Sequence, residues 1–93
     1  MEDQGQKALM MAAKGGHGGI VSLLLQLDGV GYNRLDDLGR TPLMMAAQAA
    51  DDVVVVLLLQ LEGIKVDCWD NSGKTALAHA VSFGRVKTFE ALL

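Results

Sequence analysis

The sequence has few of the residues that stabilise small secreted domains or sandwiches of sheets. Cys68 is its only cysteine, which excludes an intramolecular disulfide and a Cys-rich zinc site. Aromatic residues make up 4% of the 93 residues, whereas hydrophobic residues of all kinds make up 51%. The apolar mass is therefore alanine, valine, leucine and methionine, which suit closely packed helices better than a sandwich built on large rings. The composition predicts an all-α fold.

Long apolar runs and an excess of positive charge are also missing. The longest apolar run is the seven residues Val53–Leu59, whereas a helix that spans a bilayer needs about 20. The formal net charge of −3 argues against the basic stripe of a nucleic-acid surface. The opening MEDQGQKALMMAAKGG lacks the basic-then-apolar pattern of a secretion signal. We therefore expect an intracellular protein, cytoplasmic or nuclear, with neither a membrane nor a nucleic-acid partner.

The sequence repeats itself with a period of 34 residues. GQKALMMAAKGG from Gly5, GRTPLMMAAQAA from Gly39 and GKTALAHAVSFG from Gly73 align without gaps, and IVSLLLQLDG lies over VVVLLLQLEG. Such a period indicates repeated structural units that bury their apolar faces on one another. We expect a single domain that is an excerpt of a longer array. Its copies cover approximately residues 1–34, 35–68 and 69–93.

The run VVVVLLL would form a strand by local preference, since β-branched residues pack well on a pleat. The repeat, however, requires it to match its counterpart in the first copy. In both copies apolar residues recur at helical spacing: Ile20, Val21, Leu24 and Leu25, then Val54, Val55, Leu58 and Leu59. We predict a helix, because packing outweighs a propensity cost of at most about 0.7 kcal/mol per residue.

Each copy is predicted to begin with a short inner helix. Thr41-Pro42 suits a helix entry, because the threonine hydroxyl can accept from an early amide and proline loses no hydrogen bond in the first turn. In the second copy this helix covers residues 43 to about 49.

The second helix of each copy is predicted to end in an extended turn. Asp51 or Asp52 can cap this helix in the second copy, and it runs to about Leu61, before Gly63, which tolerates a left-handed exit. The linkers 29–38 and 63–72 contain Gly, Asn and Asp, which suit projecting turns.

These repeated residues resemble the ankyrin repeat, whose usual form is G-x-T-P-L-H-x-A-A followed by G-H and V-x-x-L-L. GRTPLMMAA and VVVVLLLQLEG carry the match, which covers nearly the whole chain in three copies. The resemblance implies a helix-turn-helix solenoid with projecting β-hairpin-type turns, in which turns and inner helices line a concave face. It also implies a non-enzymatic module that binds another protein and needs no cofactor.

Several positions depart from the family pattern. Lys7 and Ala8 replace the threonine and proline in the first copy. The family histidine is replaced by Met10, Met44 and Ala78. We therefore expect the turn network that this histidine supports to be absent.

The resemblance implies that partner contacts lie in the turns and on the exposed side of the inner helices. The matching positions are Leu35, Asp37, Leu38, Arg40, Gln48, Trp69, Asn71, Lys74 and Phe83, together with Ala49, Ser72 and Ser82. Trp69 is the only tryptophan and lies in a turn, where an exposed aromatic side chain is a favoured interface anchor. The alternative is that Trp69 packs over the neighbouring turn, and the same alternative applies to Leu38 and Phe83.

The histidines and the paired methionines are better explained as structural residues than as catalytic or binding residues. His17 and His79 have no recurring Cys, Ser or Asp partners and no catalytic or metal motif. We expect His17 to start its helix and His79 to pack on an inner helix. At least one methionine of each pair, Met10-Met11 and Met44-Met45, is expected to fill the core, although methionines also suit an adaptable binding surface.

The charge pattern and the third copy leave alternatives open. The second copy carries a charge of −4, which could steer a basic partner, although helix caps and solvated faces also explain acidic residues. The face that carries Phe89 and Leu92 is expected to be partly uncovered or covered by another chain. Self-association through exposed repeat ends, or regulation within a larger protein, are therefore the alternatives to partner binding.

Overall fold

A computed structural model of the chain describes residues 2–27, 30–49 and 52–93. These described residues form six helices and no strand. The helices are α1 (Glu2–Gly15), α2 (Gly18–Leu25), α3 (Pro42–Gln48), α4 (Val53–Leu59), α5 (Ala76–Ser82) and α6 (Val86–Leu92). The run of four valines and three leucines is helical, as its repeat predicts.

The helices form three pairs that stack in sequence order as a helical solenoid. Each inner helix packs on the outer helix that follows it, and α1, α3 and α5 form an inner row. The outer helices α2, α4 and α6 form a second row beside it. The described body measures 33 × 26 × 22 Å. Its buried apolar residues form one continuous core, which the three helix pairs surround.

The core is centred on α3, which lies between α1 and α5. Every residue of α3 except its last is buried. The outer helix α4 buries Val54, Val55 and Leu58, while Val53 and Val56 are exposed. The apolar run is therefore divided between core and surface with the period of a helix, although its residues are apolar all round.

Burial at equivalent positions depends on whether a neighbouring copy covers them. Met45 is 2% exposed between copies, whereas Met11, 34 residues earlier, is 72% exposed. Met44 is also buried, and Met10 packs against the core. The prediction that at least one methionine of each pair fills the core is confirmed for Met44-Met45, whereas in the first pair Met10 is only partly buried against the core.

Two details of the helix ends differ from prediction. Helix α1 begins at Glu2, because Lys7 and Ala8 replace Thr-Pro and favour continuation of the helix. Asp52 occupies the N-cap of α4, but its side chain makes no capping hydrogen bond. Its φ of −82° and ψ of −2° are already helical, so the predicted side-chain cap is wrong for Asp52. Asp51 lies outside the described residues.

Candidate functional site

Two turns project from the stack, and we call them finger 1 (residues 35–40) and finger 2 (residues 69–74). In each finger the amide of an aspartate donates to the carbonyl four residues later, from Asp36 in finger 1 and Asp70 in finger 2, both at 2.9 Å. Gly39 and Gly73 have φ values of +76° and +78°, the left-handed region that glycine enters without steric penalty. The turns are closed like hairpins, although no strand is assigned in the part of the chain that the structure describes.

The aspartate side chains stabilise the fingers by accepting hydrogen bonds from amides of the same turn. Oδ1 of Asp36 accepts from the amides two and four residues later, at 2.9 and 2.8 Å. Oδ1 of Asp70 makes the same two bonds at 2.9 Å each. Thr41 and Thr75 then cap the following helices, each accepting from an amide at 3.2 Å. Aspartate and threonine side chains therefore supply a turn network of their own without the family histidine.

The second carboxylate oxygen has a different partner in each finger. In finger 1, Nε of Arg40 donates to Oδ2 of Asp36 at 2.8 Å. In finger 2, Nε2 of His79 lies 2.9 Å from Oδ2 of Asp70, and Nδ1 of the same ring lies 3.3 Å from Nε2 of Gln48. With an amide nitrogen facing Nδ1, the ring accepts there and donates from Nε2. His79 therefore packs on its inner helix, as predicted, and also joins two copies.

A second bond set joins the same two copies. Nε and Nη2 of Arg85 donate to the carbonyl of Gln48, at 3.1 and 3.0 Å. The fingers are linked as well, since the amide of Asn71 donates to the carbonyl of Leu38 at 2.9 Å. Finger 2 is thus held by its own backbone, by the inner helix α5 and by finger 1.

These bonds lower the pKa of both aspartates below their usual value of 3.8. For Asp36, partial burial acts to raise the pKa, but hydrogen bonds from the amide and guanidinium of Arg40 outweigh it. For Asp70, the amide of Lys74 is the largest cause of the lowered pKa, opposed by burial and helped by His79. The hydrogen bonds within the fingers therefore favour the charged form of both carboxylates.

We expect the fingers to make stability depend on pH in acid. Because the folded pKa of both aspartates lies below the unfolded value of 3.8, their contribution is present above that value and is lost as pH falls through the folded pKa. Thermal unfolding followed from neutral pH to below pH 3.8 should therefore show a falling Tm at the acid end.

The matched control is the double variant Asp36→Asn/Asp70→Asn. Its amide oxygens can still accept from the turn amides but do not titrate, so the acid slope of Tm should become shallower. An unchanged slope in this variant would show that other carboxylates cause the acid dependence.

The large apolar residues predicted to contact a partner are exposed. Trp69 is 72% exposed, so the alternative that it packs over the neighbouring turn is wrong. Leu35, at the same position of finger 1, is also exposed, and so are Leu38 and Phe83. The fingers therefore present a leucine and a tryptophan in consecutive turns.

The polar residues predicted to contact a partner divide into two groups. Asp37 and Lys74 are exposed. Arg40 and Gln48 are partly buried and Asn71 is exposed, but all three side chains are bonded within the protein, the last through a bond of 3.3 Å from Nδ2 to the carbonyl of Asp37.

Two further placements follow from the fold. Ala49 is 7% exposed, so its predicted place in the surface is wrong. Ser72 and Ser82 are exposed.

A family model described as ankyrin repeats in three copies matches residues 9–93. The chain belongs to the ankyrin repeat family. Ankyrin repeats are protein–protein interaction modules. In this chain, the two fingers and the inner row of helices α1, α3 and α5 are elements of these repeats. No curated protein matches this sequence.

Among solved structures, the chain is similar to an ankyrin-repeat immunity protein. That structure is the predatory endopeptidase Bd0816 from Bdellovibrio bacteriovorus in complex with immunity protein Bd3460. The match has a TM-score of 0.87 and 36% identity, and it covers 92% of this chain and 44% of that chain. This chain therefore spans less than half the length of the protein that it matches.

Residues 2–27, 30–49 and 52–93 hold no group of three or more His, Cys, Asp and Glu side chains that could bind a metal ion. Within the same ranges, no helix is long and apolar enough to cross a membrane. His17 lies at the N-cap of α2, as predicted.

Sequence reasoning missed the structural aspartates of the fingers. Asp36 and Asp70 each stand three residues before a glycine and five before a threonine, and they are 34 residues apart. That recurring D-x-x-G-x-T spacing was the available signal, since aspartate commonly accepts from amides of its own turn. The partners Gln48 and Arg85 carry no comparable signal, because only the stacked fold brings them together.

Proposed function

We propose that this chain is a non-catalytic module that binds another protein through its two fingers and the exposed side of its inner helices. The observation that carries the proposal is Trp69, an exposed indole on a finger held by bonds to two copies. A large side chain on an ordered turn can be buried by a partner with little loss of conformational freedom. The family and the complex of the similar immunity protein support protein binding as the function.

The exposed charges suggest the chemistry of that partner. Asp37, Glu62 and Asp67 are exposed, whereas Asp36 and Asp70 are used within the fingers. A partner that offers basic side chains beside an apolar residue would match both the acids and Trp69. Association should then slow as salt is added, because exposed charges are screened.

A peptidase is the first partner class to test. The similar immunity protein is bound to an endopeptidase in its solved complex. Regulation of a catalytic domain in a larger protein is a second candidate, since this chain spans 44% of its match. An intracellular setting, cytoplasmic or nuclear, remains a prediction that a tagged chain followed by microscopy would test.

We expect Trp69→Ala to weaken partner capture by about 30-fold or more, which is the loss typical of a central interface anchor. The free energy of unfolding should change by less than about 0.5 kcal/mol, because the indole is mostly in solvent. Affinity capture with wild type and variant, followed by titration of each captured protein, measures the loss. Because Trp69 is the only tryptophan, its fluorescence also reports directly on burial of finger 2.

The matched control is Val56→Ala, an exposed apolar residue on the outer helix α4. It should leave capture unchanged. Equal capture by wild type and Trp69→Ala would remove finger 2 from the binding surface. Arg40→Ala is a less specific variant, because it also removes the guanidinium from Asp36.

A further inference from the structure

Three large apolar side chains are exposed on the fingers. Leu35 and Leu38 are 54% and 55% exposed, although the second copy, which carries them, has a helix pair packed on each side. Trp69 stands at the position of Leu35 in the third copy and has finger 1 beside it. The position shared by Leu35 and Trp69 is therefore left in solvent by the repeat itself.

Two backbone hydrogen bonds set the spacing of the fingers. Each finger has a first arm (residues 35–37 and 69–71) and a second arm (residues 38–40 and 72–74). Within finger 1, the amide of Asp36 donates to the carbonyl of Arg40 at 2.9 Å and joins the two arms. Between the fingers, the amide of Asn71 donates to the carbonyl of Leu38 at 2.9 Å. Extended backbones joined by such bonds lie about 4.8 Å apart.

The three apolar residues therefore lie on three successive arms. Relative to Leu35, the backbone of Leu38 is displaced along the stack by about 5 Å and the backbone of Trp69 by about 10 Å. The helices behind the fingers give a similar repeat, because packed helices such as α3 and α5 have axes about 8–10 Å apart. The surface thus offers apolar contacts at intervals of about 5 and about 10 Å.

An α-helix in a partner would match both intervals. Its positions i, i+3 or i+4, and i+7 share one face. With a rise of about 1.5 Å per residue, the later positions lie about 4.5 or 6 Å and about 10.5 Å from the first. These distances are close to the displacements of Leu38 and Trp69 from Leu35.

Extended segments of a partner match less well. In a β-strand, residues on one face are separated by about 6.7 Å and then by about 13 Å. A polyproline II helix returns to the same face every three residues, or about 9.3 Å, which suits Leu35 and Trp69 but leaves no residue of that face near Leu38. The helix is therefore the regular conformation that offers one side chain to each of the three residues.

Asp37 supplies a charge between the two leucines. It is exposed, and its carbonyl, not its carboxylate, accepts the bond from Asn71. The neighbouring carboxylate of Asp36 is already used by the guanidinium of Arg40 and by amides of the turn. A lysine or arginine beside the apolar residues of a partner would therefore be complementary to Asp37.

We propose that the segment of the partner bound by the fingers is an amphipathic α-helix that lies along the stack and crosses both fingers. Its apolar residues at i, i+3 or i+4, and i+7 contact Leu35, Leu38 and Trp69, in this order or the reverse, and a lysine or arginine beside them pairs with Asp37. This inference rests on the proposed function and deepens it, because it names the conformation and the residue pattern of the bound segment.

The first experiment selects binders from random peptides of about 16 residues, which is more than four turns of helix, displayed on phage. The folded 93-residue chain is the bait, and Trp69→Ala is used for counter-selection. Enriched sequences should carry apolar residues at i, i+3 or i+4, and i+7, with a basic residue nearby. The synthesised peptides should gain helical circular dichroism on binding and change the fluorescence of Trp69.

The outcomes of this selection separate the inference from the proposed function. Enriched peptides with apolar residues at every second or every third position overturn the helix and leave finger binding intact. A selection that yields no peptide dependent on Trp69 also overturns the inference. The proposed function is tested apart from it, by capture of whole proteins with wild type and Trp69→Ala.

Double-mutant cycles with one selected peptide test the order of the contacts. Leu35→Ala, Leu38→Ala and Trp69→Ala are each combined with alanine at each apolar position of the peptide. Leu38 should couple most strongly to the middle position, and Leu35 and Trp69 to the two outer positions. Trp69→Ala should weaken peptide binding by about 30-fold or more and each leucine variant by about threefold or more. Coupling of Leu35 and Trp69 to the same peptide position overturns the placement along the stack.

Two further variants test the charge and the specificity of the surface. Asp37→Asn removes the charge but keeps the carbonyl that accepts from Asn71. It should weaken peptide binding by about threefold or more and make binding less sensitive to salt. Unchanged binding at low salt overturns the pairing with Asp37. The matched control is Val56→Ala on the outer helix α4, which should bind the peptide like wild type.

Discussion

Truncation of Met45 to alanine is expected to lower the free energy of unfolding by about 2–5 kcal/mol. The side chain is 2% exposed in α3, the central helix of the stack, and it faces the first copy. Its removal loses apolar burial and leaves a cavity that the neighbouring helices can fill only in part. Urea unfolding followed by circular dichroism measures the change.

The chain provides its own control for this substitution. Met11 has the same neighbours in sequence and the same place in the repeat, yet it is 72% exposed. Met11→Ala should change the free energy of unfolding by less than about 0.5 kcal/mol at a concentration where the chain is monomeric. If both variants lost equal stability, burial of Met45 by the first copy would not be the cause.

The second large effect is expected for Gly39→Ala, which should cost about 2–4 kcal/mol. The left-handed φ of +76° accounts for about 1–2 kcal/mol of this. The added Cβ would also lie 2.5 Å from Oδ1 and 3.1 Å from the amide nitrogen of Asn71. Finger 2 must then move away and lose the bond from that amide to Leu38, at a further cost of about 1–2 kcal/mol.

Gly73→Ala separates the two causes. Gly73 has a φ of +78°, but a Cβ there would meet nothing within 4 Å. We expect a loss of about 1–2 kcal/mol, from the backbone alone. Thermal unfolding of the two variants measures the difference, and equal losses would mean that the contact between the fingers contributes nothing.

The fold was predictable where the repeat overruled local preference. Taken alone, VVVVLLL favours a strand. Its counterpart in the first copy has apolar residues at the same helical spacing, and both segments are helices in the structure. The Thr41 cap was predictable from the Thr-Pro pair alone, because the threonine and the amide that donates to it lie within a few residues of each other. Local chemistry and periodicity together were sufficient for these elements.

Other features depend on contacts between distant residues. His79 was expected to pack on its helix, but its bonds to Asp70 and Gln48 span nine and 31 residues. The exposure of Ile20 where Val54 is buried likewise depends on which neighbours cover each helix, not on the residue type. The predicted contact surface also includes Gln48 and Asn71, whose side chains bond to residues 31 and 34 positions away, which no linear pattern reveals.

In finger 2 the residues that close the turn differ from the residues that present exposed side chains. The framework uses Asp70, Gly73 and Thr75, with His79 behind them, while the side chains of Trp69 and Ser72 take no part in it. Substitutions at Trp69 and Ser72 can therefore change which molecules are recognised without refolding the loop. Such repeats can therefore acquire new binding partners through few substitutions. A small library randomised at positions 69 and 72 would test this on an intact scaffold.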